Sequence, residues 1–185
     1  MSRGNDSSIL DDSFANNPLG TAKSLKWDRN SKLPPQMMKR WFGGGPQTDA
    51  EVTVLFKQDL IDIGHHKLDH WQGDKMGKLA TIILCDQLSR NIYRGFAEAF
   101  SFDHISLKLS KQIISNIEVF KSYALFEKLF IIAPLMHSED VNDCNWCAEV
   151  LQEIIDQLKY ESREISRKDK DSQPSSNKNR FNWID

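Results

Sequence analysis

The sequence has no apolar run approaching the ~20 residues that span a bilayer, and its start, Met1-Ser2-Arg3-Gly4-Asn5-Asp6, lacks the apolar stretch of a secretory leader. No membrane insertion is expected, and the cytoplasm is the expected location. Neither sign of charge is in excess. With 24 basic against 26 acidic residues the net charge is -2, which supplies no global attraction to nucleic acid. Three cysteines are too few for a disulfide framework or a four-thiolate zinc site. Period-two alternation bounded by turns is nowhere sustained, so a sheet is not expected. A phosphate loop is missing too, because Gly43-Gly44-Gly45-Pro46 is not followed by Lys-Ser/Thr, and there is no Gly-x-Ser-x-Gly elbow or aromatic RNA-binding motif.

What is present is helical periodicity. Of the 185 residues, 39% are hydrophobic, enough for the core of one domain. Residues 1–33 are rich in Ser, Asn and Asp without a period and read as a disordered arm; residues 34–165 read as the helical domain, and residues 166–185 as a disordered tail. Trp41-Phe42 reads as a buried anchor. A first helix is expected from a Thr48/Glu51 capping box to Gly64, with Val52, Leu55, Phe56, Leu60 and Ile63 inward. The second spans about Asp74 to Asn91 and is apolar around most of its circumference, so it should be central. A third begins near Ser101 or Asp103 and carries Ile105 through Ile117. The fourth holds Tyr123 to Ile132 and should stop at Pro134. A fifth, capped by Ser138, shows Val141, Cys144, Ala148, Leu151, Ile155 and Leu158 on one stripe. Short connections imply an all-α fold of antiparallel helix pairs.

Chemistry concentrates in the second helix. Asp86, Gln87, Arg90 and Asn91 interrupt its apolar run, and Asp86 and Arg90, four apart, share a face as an acid-before-base pair turned toward the core. Two buried charges are expected to be paired, because either alone would cost several kcal/mol. His137, ahead of Ser138-Glu139-Asp140, would add an imidazole if the helices bring it to Asp86 and Arg90. The His65, His66, Asp69, His70 cluster has one-turn spacing but lies in a loop without a zinc-protease glutamate. No metal is expected there. Cys144 and Cys147 have redox spacing without a preceding strand, and read as two reduced core thiols.

The run Gly77-Lys78-Leu79-Ala80-Thr81-Ile82-Ile83-Leu84-Cys85-Asp86-Gln87-Leu88-Ser89-Arg90-Asn91, then Tyr93-Arg94-Gly95, Ala99-Phe100 and Asp103, resembles the hallmark segment of the domain-of-unknown-function family numbered 924. Pro134-Leu135-Met136-His137-Ser138-Glu139 is similar to its second hallmark. Trp41-Phe42, Asp49-Ala50-Glu51 and Trp71 resemble its N-terminal segment. The likeness covers about Met38 to Asp143. It implies a tetratricopeptide-like right-handed helical array and no established activity. Three departures accompany it: Leu88-Ser89 where the family usually has Phe-Pro, the cysteine pair, and the want of a Phe-Gly-Arg-Phe/Tyr-Pro-x-Arg-Asn signature after Ile165. The last implies a C-terminus that is truncated or divergent, or an incomplete version of the domain.

Two functions follow as expectations. The first is a soluble interaction or small-ligand-binding module whose pocket is lined by Asp86, Gln87, Arg90, Asn91, Arg94, His137 and Glu139, its partner an unidentified protein or small molecule, with no cofactor. The second is a hydrolase or transferase with Asp86 or His137 as acid-base group and Arg90 as anion clamp.

Overall fold

Helix follows helix wherever the apolar period predicts one, and no strand occurs among the described residues. The structure, a computed structural model, describes residues 44–171, with side chains to residue 168. The arm at 1–33, the Trp41-Phe42 anchor and the tail beyond Asp171 lie outside the described residues. The chain divides into two units at Cys144/Asn145.

In the first unit, α1 spans Pro46–Gly64. It starts two residues before the expected capping box. Pro46, with its φ already helical and no N–H to satisfy, begins the helix behind Gly45, which makes no side-chain cap bond. Val52, Leu60 and Ile63 are buried, but Leu55 points to solvent. A 3-10 turn, Asp69–Gly73, then buries Trp71. The backbone of α2, Lys75–Ile83, runs so close to that turn that a Cβ on Gly77 would lie 1.9 Å from the Trp71 carbonyl oxygen. Only glycine fits there. Asp74 caps α2 by accepting from the Met76 and Gly77 N–H groups at 2.8 and 2.9 Å.

The second predicted helix is central, as expected, but not uniform. A π-helical turn, Leu84–Leu88, separates α2 from α3, Ser89–Ile92. Gly95 then turns the chain at φ 85°, a left-handed angle that glycine adopts freely. After a 3-10 turn at Ala97–Phe100, α4 runs Asp103–Ser115 and buries Leu109, Ile113 and Ile114. Asn116 ends it and caps α5, Ile117–Lys121, so Ile117 opens a new helix and is exposed.

α6 spans Leu125–His137 and passes through Pro134. The expected stop is overridden by packing. The turn containing Pro134 carries Leu135, wholly buried, into the core alongside Ile131 and Ile132, and a buried leucine side chain contributes about 1.5–3 kcal/mol. Pro134 is itself buried, and its burial together with that of Leu135 offsets the roughly 3 kcal/mol that a proline costs inside a helix. α7 begins at Val141, not at Ser138: Asp140 Oδ1 accepts from the Asn142 N–H at 2.8 Å, while Ser138 Oγ donates to Asp143 at 2.8 Å. Asp143 is buried, which raises its pKa, but bonds from Lys111 and Ser138 outweigh this and hold it below the ordinary value.

In the second unit α7 continues to Asp171, six residues past the expected boundary at Ile165. Its burial falls on Cys147 and Val150 rather than on the expected stripe, where Ala148, Ile155 and Leu158 are exposed. Only one thiol of the pair is a core thiol, since Cys144 is exposed.

Candidate functional site

The π turn sets the site. The Ser89 N–H reaches back five residues to the Leu84 carbonyl, so the turn is wider than an α turn and its neighbouring carbonyls fall out of register. Two side chains satisfy them: Ser89 Oγ donates to Cys85 O and Arg90 Nη1 to Asp86 O, both at 2.6 Å. Arg90 therefore folds back along its own helix while its other donors face α4.

There it meets Asp103 in a two-pronged pair, Nη1 to Oδ1 at 3.0 Å and Nη2 to Oδ2 at 3.1 Å. The expected Asp86–Arg90 pair is also present, at 3.7 Å. The wide turn shifts the i,i+4 neighbours, so Asp103 is the closer partner. Asp86 is 1% exposed. Its Oδ1 lies 2.8 Å from His137 Nδ1, and its Oδ2 accepts from Gln87 Nε2. His137, at the last residue of α6, is 36% exposed. Arg90 Nη2 lies 3.5 Å from the same ring nitrogen, and the guanidinium rests 5.2 Å from the centre of the Phe100 ring.

A carboxylate accepts, so Nδ1 carries the proton toward Asp86, and whenever the ring is neutral Nε2 is its acceptor. Two carboxylates surround one guanidinium in this inner cluster. Arg90's donors are largely taken, and the surplus charge is negative. Buried Cys85 senses it: burial first, and then the charges of Asp86 and Asp103, push its thiol up to about 12.

Asn91 and Arg94 form a separate outer cluster around Asp49 of α1. Asn91 Nδ2 donates to Asp49 Oδ1 at 2.8 Å, and Arg94 donates through Nε and Nη2 at 2.6 and 2.9 Å. The Arg94 bond holds the Asp49 carboxyl below its ordinary range against the opposing effect of burial, and the same bond raises the Arg94 pKa. Glu139 is exposed, and no hydrogen bond among the described residues joins it to either cluster. Asp103 and Asp49 are the site residues that sequence reasoning read only as a helix start and as part of a motif. Their signal was present, since both fall within the segments that carry the family resemblance, but nothing in their spacing tied them to Arg90 or Arg94.

Among the described residues no group of three or more His, Cys, Asp and Glu side chains is placed to hold a metal. His66 has a left-handed φ of 60° and lies 3.4 Å from Asp69 on the surface. Cys144 Sγ is 3.4 Å from the Ser138 carbonyl oxygen.

These features define an all-helical domain with a buried carboxylate bonded to a half-exposed imidazole and flanked by a two-pronged arginine. The chain belongs to the family described as bacterial protein of unknown function (DUF924), whose model matches residues 26–181. The match is wider at both ends than the Met38–Asp143 segment of evident likeness. Among solved structures it is similar to a protein of unknown function, ATU0120 from Agrobacterium tumefaciens, with a TM-score of 0.57 and 22% identity over 62% of this chain and 64% of that one. At that identity the likeness shows the fold alone, and the chain spans less than two thirds of that protein. No curated protein matches. No helix among the described residues is long and apolar enough to cross a membrane.

Proposed function

We propose that the domain is a small-ligand-binding module, built on a tetratricopeptide-like array and working in the cytoplasm, with its site at the Asp86–His137–Arg90 cluster. The observation that carries this reading is the 2.8 Å contact from buried Asp86 to His137 Nδ1, which orients a ring that is itself partly exposed and, when neutral, offers Nε2 as an acceptor. Because Asp103 occupies Arg90, the group that suits this site is a neutral or cationic donor, a hydroxyl or an amine, rather than an anion. Gln87, Asn91 and Arg94 act as supports, through Asp86 and Asp49 respectively.

The same contact favours a second reading, a hydrolase or transferase in which His137 takes a proton and Asp86 orients it. Arg90 could clamp an anion there only by leaving Asp103. A thermal-shift screen of the purified chain against metabolite pools tests the first reading, because a ligand at 100 times its Kd adds about 2.7 kcal/mol. His137→Asn should abolish any response while leaving the helical circular dichroism intact. A retained response in the folded variant places the ligand elsewhere. Turnover of the responding compound, lost with His137→Asn, would select the second reading.

A further inference from the structure

Asp103 holds Arg90 in the way that a free carboxylate would. Its two oxygens meet the two ends of the guanidinium, Oδ1 at 3.0 Å from Nη1 and Oδ2 at 3.1 Å from Nη2. Paired N–H···O bonds of this kind are how arginine grips a carboxylate ligand. The guanidinium does not need Asp103 to aim it. Nη1 is tied back to the Asp86 carbonyl at 2.6 Å, Nη2 has Asp86 Oδ1 and His137 Nδ1 at 3.7 and 3.5 Å, and the Phe100 ring lies against the group. The place that Asp103 fills is within reach of water, since Arg90 is one quarter and Asp103 one third exposed. Asp103 is also the first residue of the 13-residue helix α4, whose positive end favours negative charge.

Resting on the reading of this cluster as the ligand site, we propose that Asp103 fills an anion seat and is the residue that fixes the ligand class. With its carboxylate in place the site takes hydroxyl or amine donors; without it the same residues take a small carboxylate. The charges agree. Asp86 and Asp103 already set two carboxylates against one guanidinium, so a solute anion would be a third. Removing Asp103 leaves one of each, and an incoming carboxylate then restores the present balance rather than exceeding it.

Chemical rescue of Asp103→Ala in the full chain tests this, with sodium formate as the probe and sodium chloride at equal ionic strength as the reference. Formate near saturation should raise the thermal midpoint of the variant by about 2–4 °C and leave the unsubstituted chain where chloride leaves it. An equal rise in both chains would mean that Asp103 fills no seat, and no rise in the folded variant would mean that there is none; either overturns the proposal. If Asp103→Ala loses its helical circular dichroism, formate should restore it, and a chain that stays unfolded is the contrary result. Adding Arg90→Gln to Asp103→Ala should abolish the rise. A rise that survives places the formate elsewhere and overturns the proposal. The two readings fail separately: a metabolite response kept by folded His137→Asn moves the ligand site away from the cluster and takes the choice of ligand from Asp103 whatever formate does. A His137-dependent response without the formate rise removes the role of Asp103 alone.

Discussion

The inner and outer clusters are built from nearly the same parts, and they sit a few residues apart along one stretch of helix. Each has an arginine held in two-pronged fashion by an aspartate from another helix, Arg90 by Asp103 and Arg94 by Asp49. They differ in water. Asp86 at the heart of the inner cluster is 1% exposed, while Arg94 of the outer one is 56% exposed. Water reaches Arg94 and screens the outer pair from that side. Asp86 in the inner cluster has no such screening. The same chemistry is therefore a screened surface clip in one place and a desolvated, polarised cluster in the other.

Removing the inner guanidinium breaks the comparison most severely. Arg90→Met strands buried Asp86 and should cost about 3–5 kcal/mol, read as a shift in the urea midpoint. Asp86→Leu with Arg90→Met together should cost less than Arg90→Met alone, since the uncompensated buried charge is gone. Cys85 reports the same event chemically. In the native protein exposed Cys144 should react quickly with a thiol reagent and Cys85 only on opening, its thiol being buried with a pKa of about 12. Arg90→Met should speed Cys85 labelling markedly, and equal rates in the two proteins would mean the cluster does not guard that helix.

Asp103→Asn should fall between, at about 1–3 kcal/mol, because Asp103 is a third exposed and Asp86 remains beside Arg90. Smallest is the outer pair. Asp49→Asn should cost no more than about 1 kcal/mol and lose much of that effect in high salt. Its pH dependence has a definite sign. The folded carboxyl lies below its ordinary value, so its contribution is present above about pH 4 and fades as pH falls through the lower folded value. Asp49→Asn should flatten that part of the acid-unfolding curve. A loss as large as that of Arg90→Met would erase the distinction between the clusters.

Sequence made the helices legible because their apolar residues keep a 3.6 period, and it placed Asp86 and Arg90 on a core-facing surface. Local rules failed where tertiary packing outweighed them. Pro134 sits within α6 because Leu135 beyond it is wholly buried, and that extra turn is what delivers His137 to Asp86. Thr48 and Ser138 have capping side chains, yet Pro46 and Asp140 start the helices. The π turn leaves no periodic trace, since one widened turn does not disturb an apolar run this dense. Asp103 and Asp49 were out of reach for another reason: a partner 13 or 45 residues away is set by the fold, not by spacing.

The central claim is that Asp86 fixes the His137 proton on Nδ1 and leaves Nε2 as the acceptor. Long-range 1H–15N correlation spectra of the imidazole rings at about pH 8, where an ordinary histidine is neutral, read the tautomer directly. His137, assigned by comparison with His137→Asn, should be protonated at Nδ1, and Asp86→Ala should return it to the mixture of tautomers seen for an exposed ring. A His137 ring protonated at Nε2 in the unsubstituted protein, or one that Asp86→Ala leaves unchanged, would contradict the account.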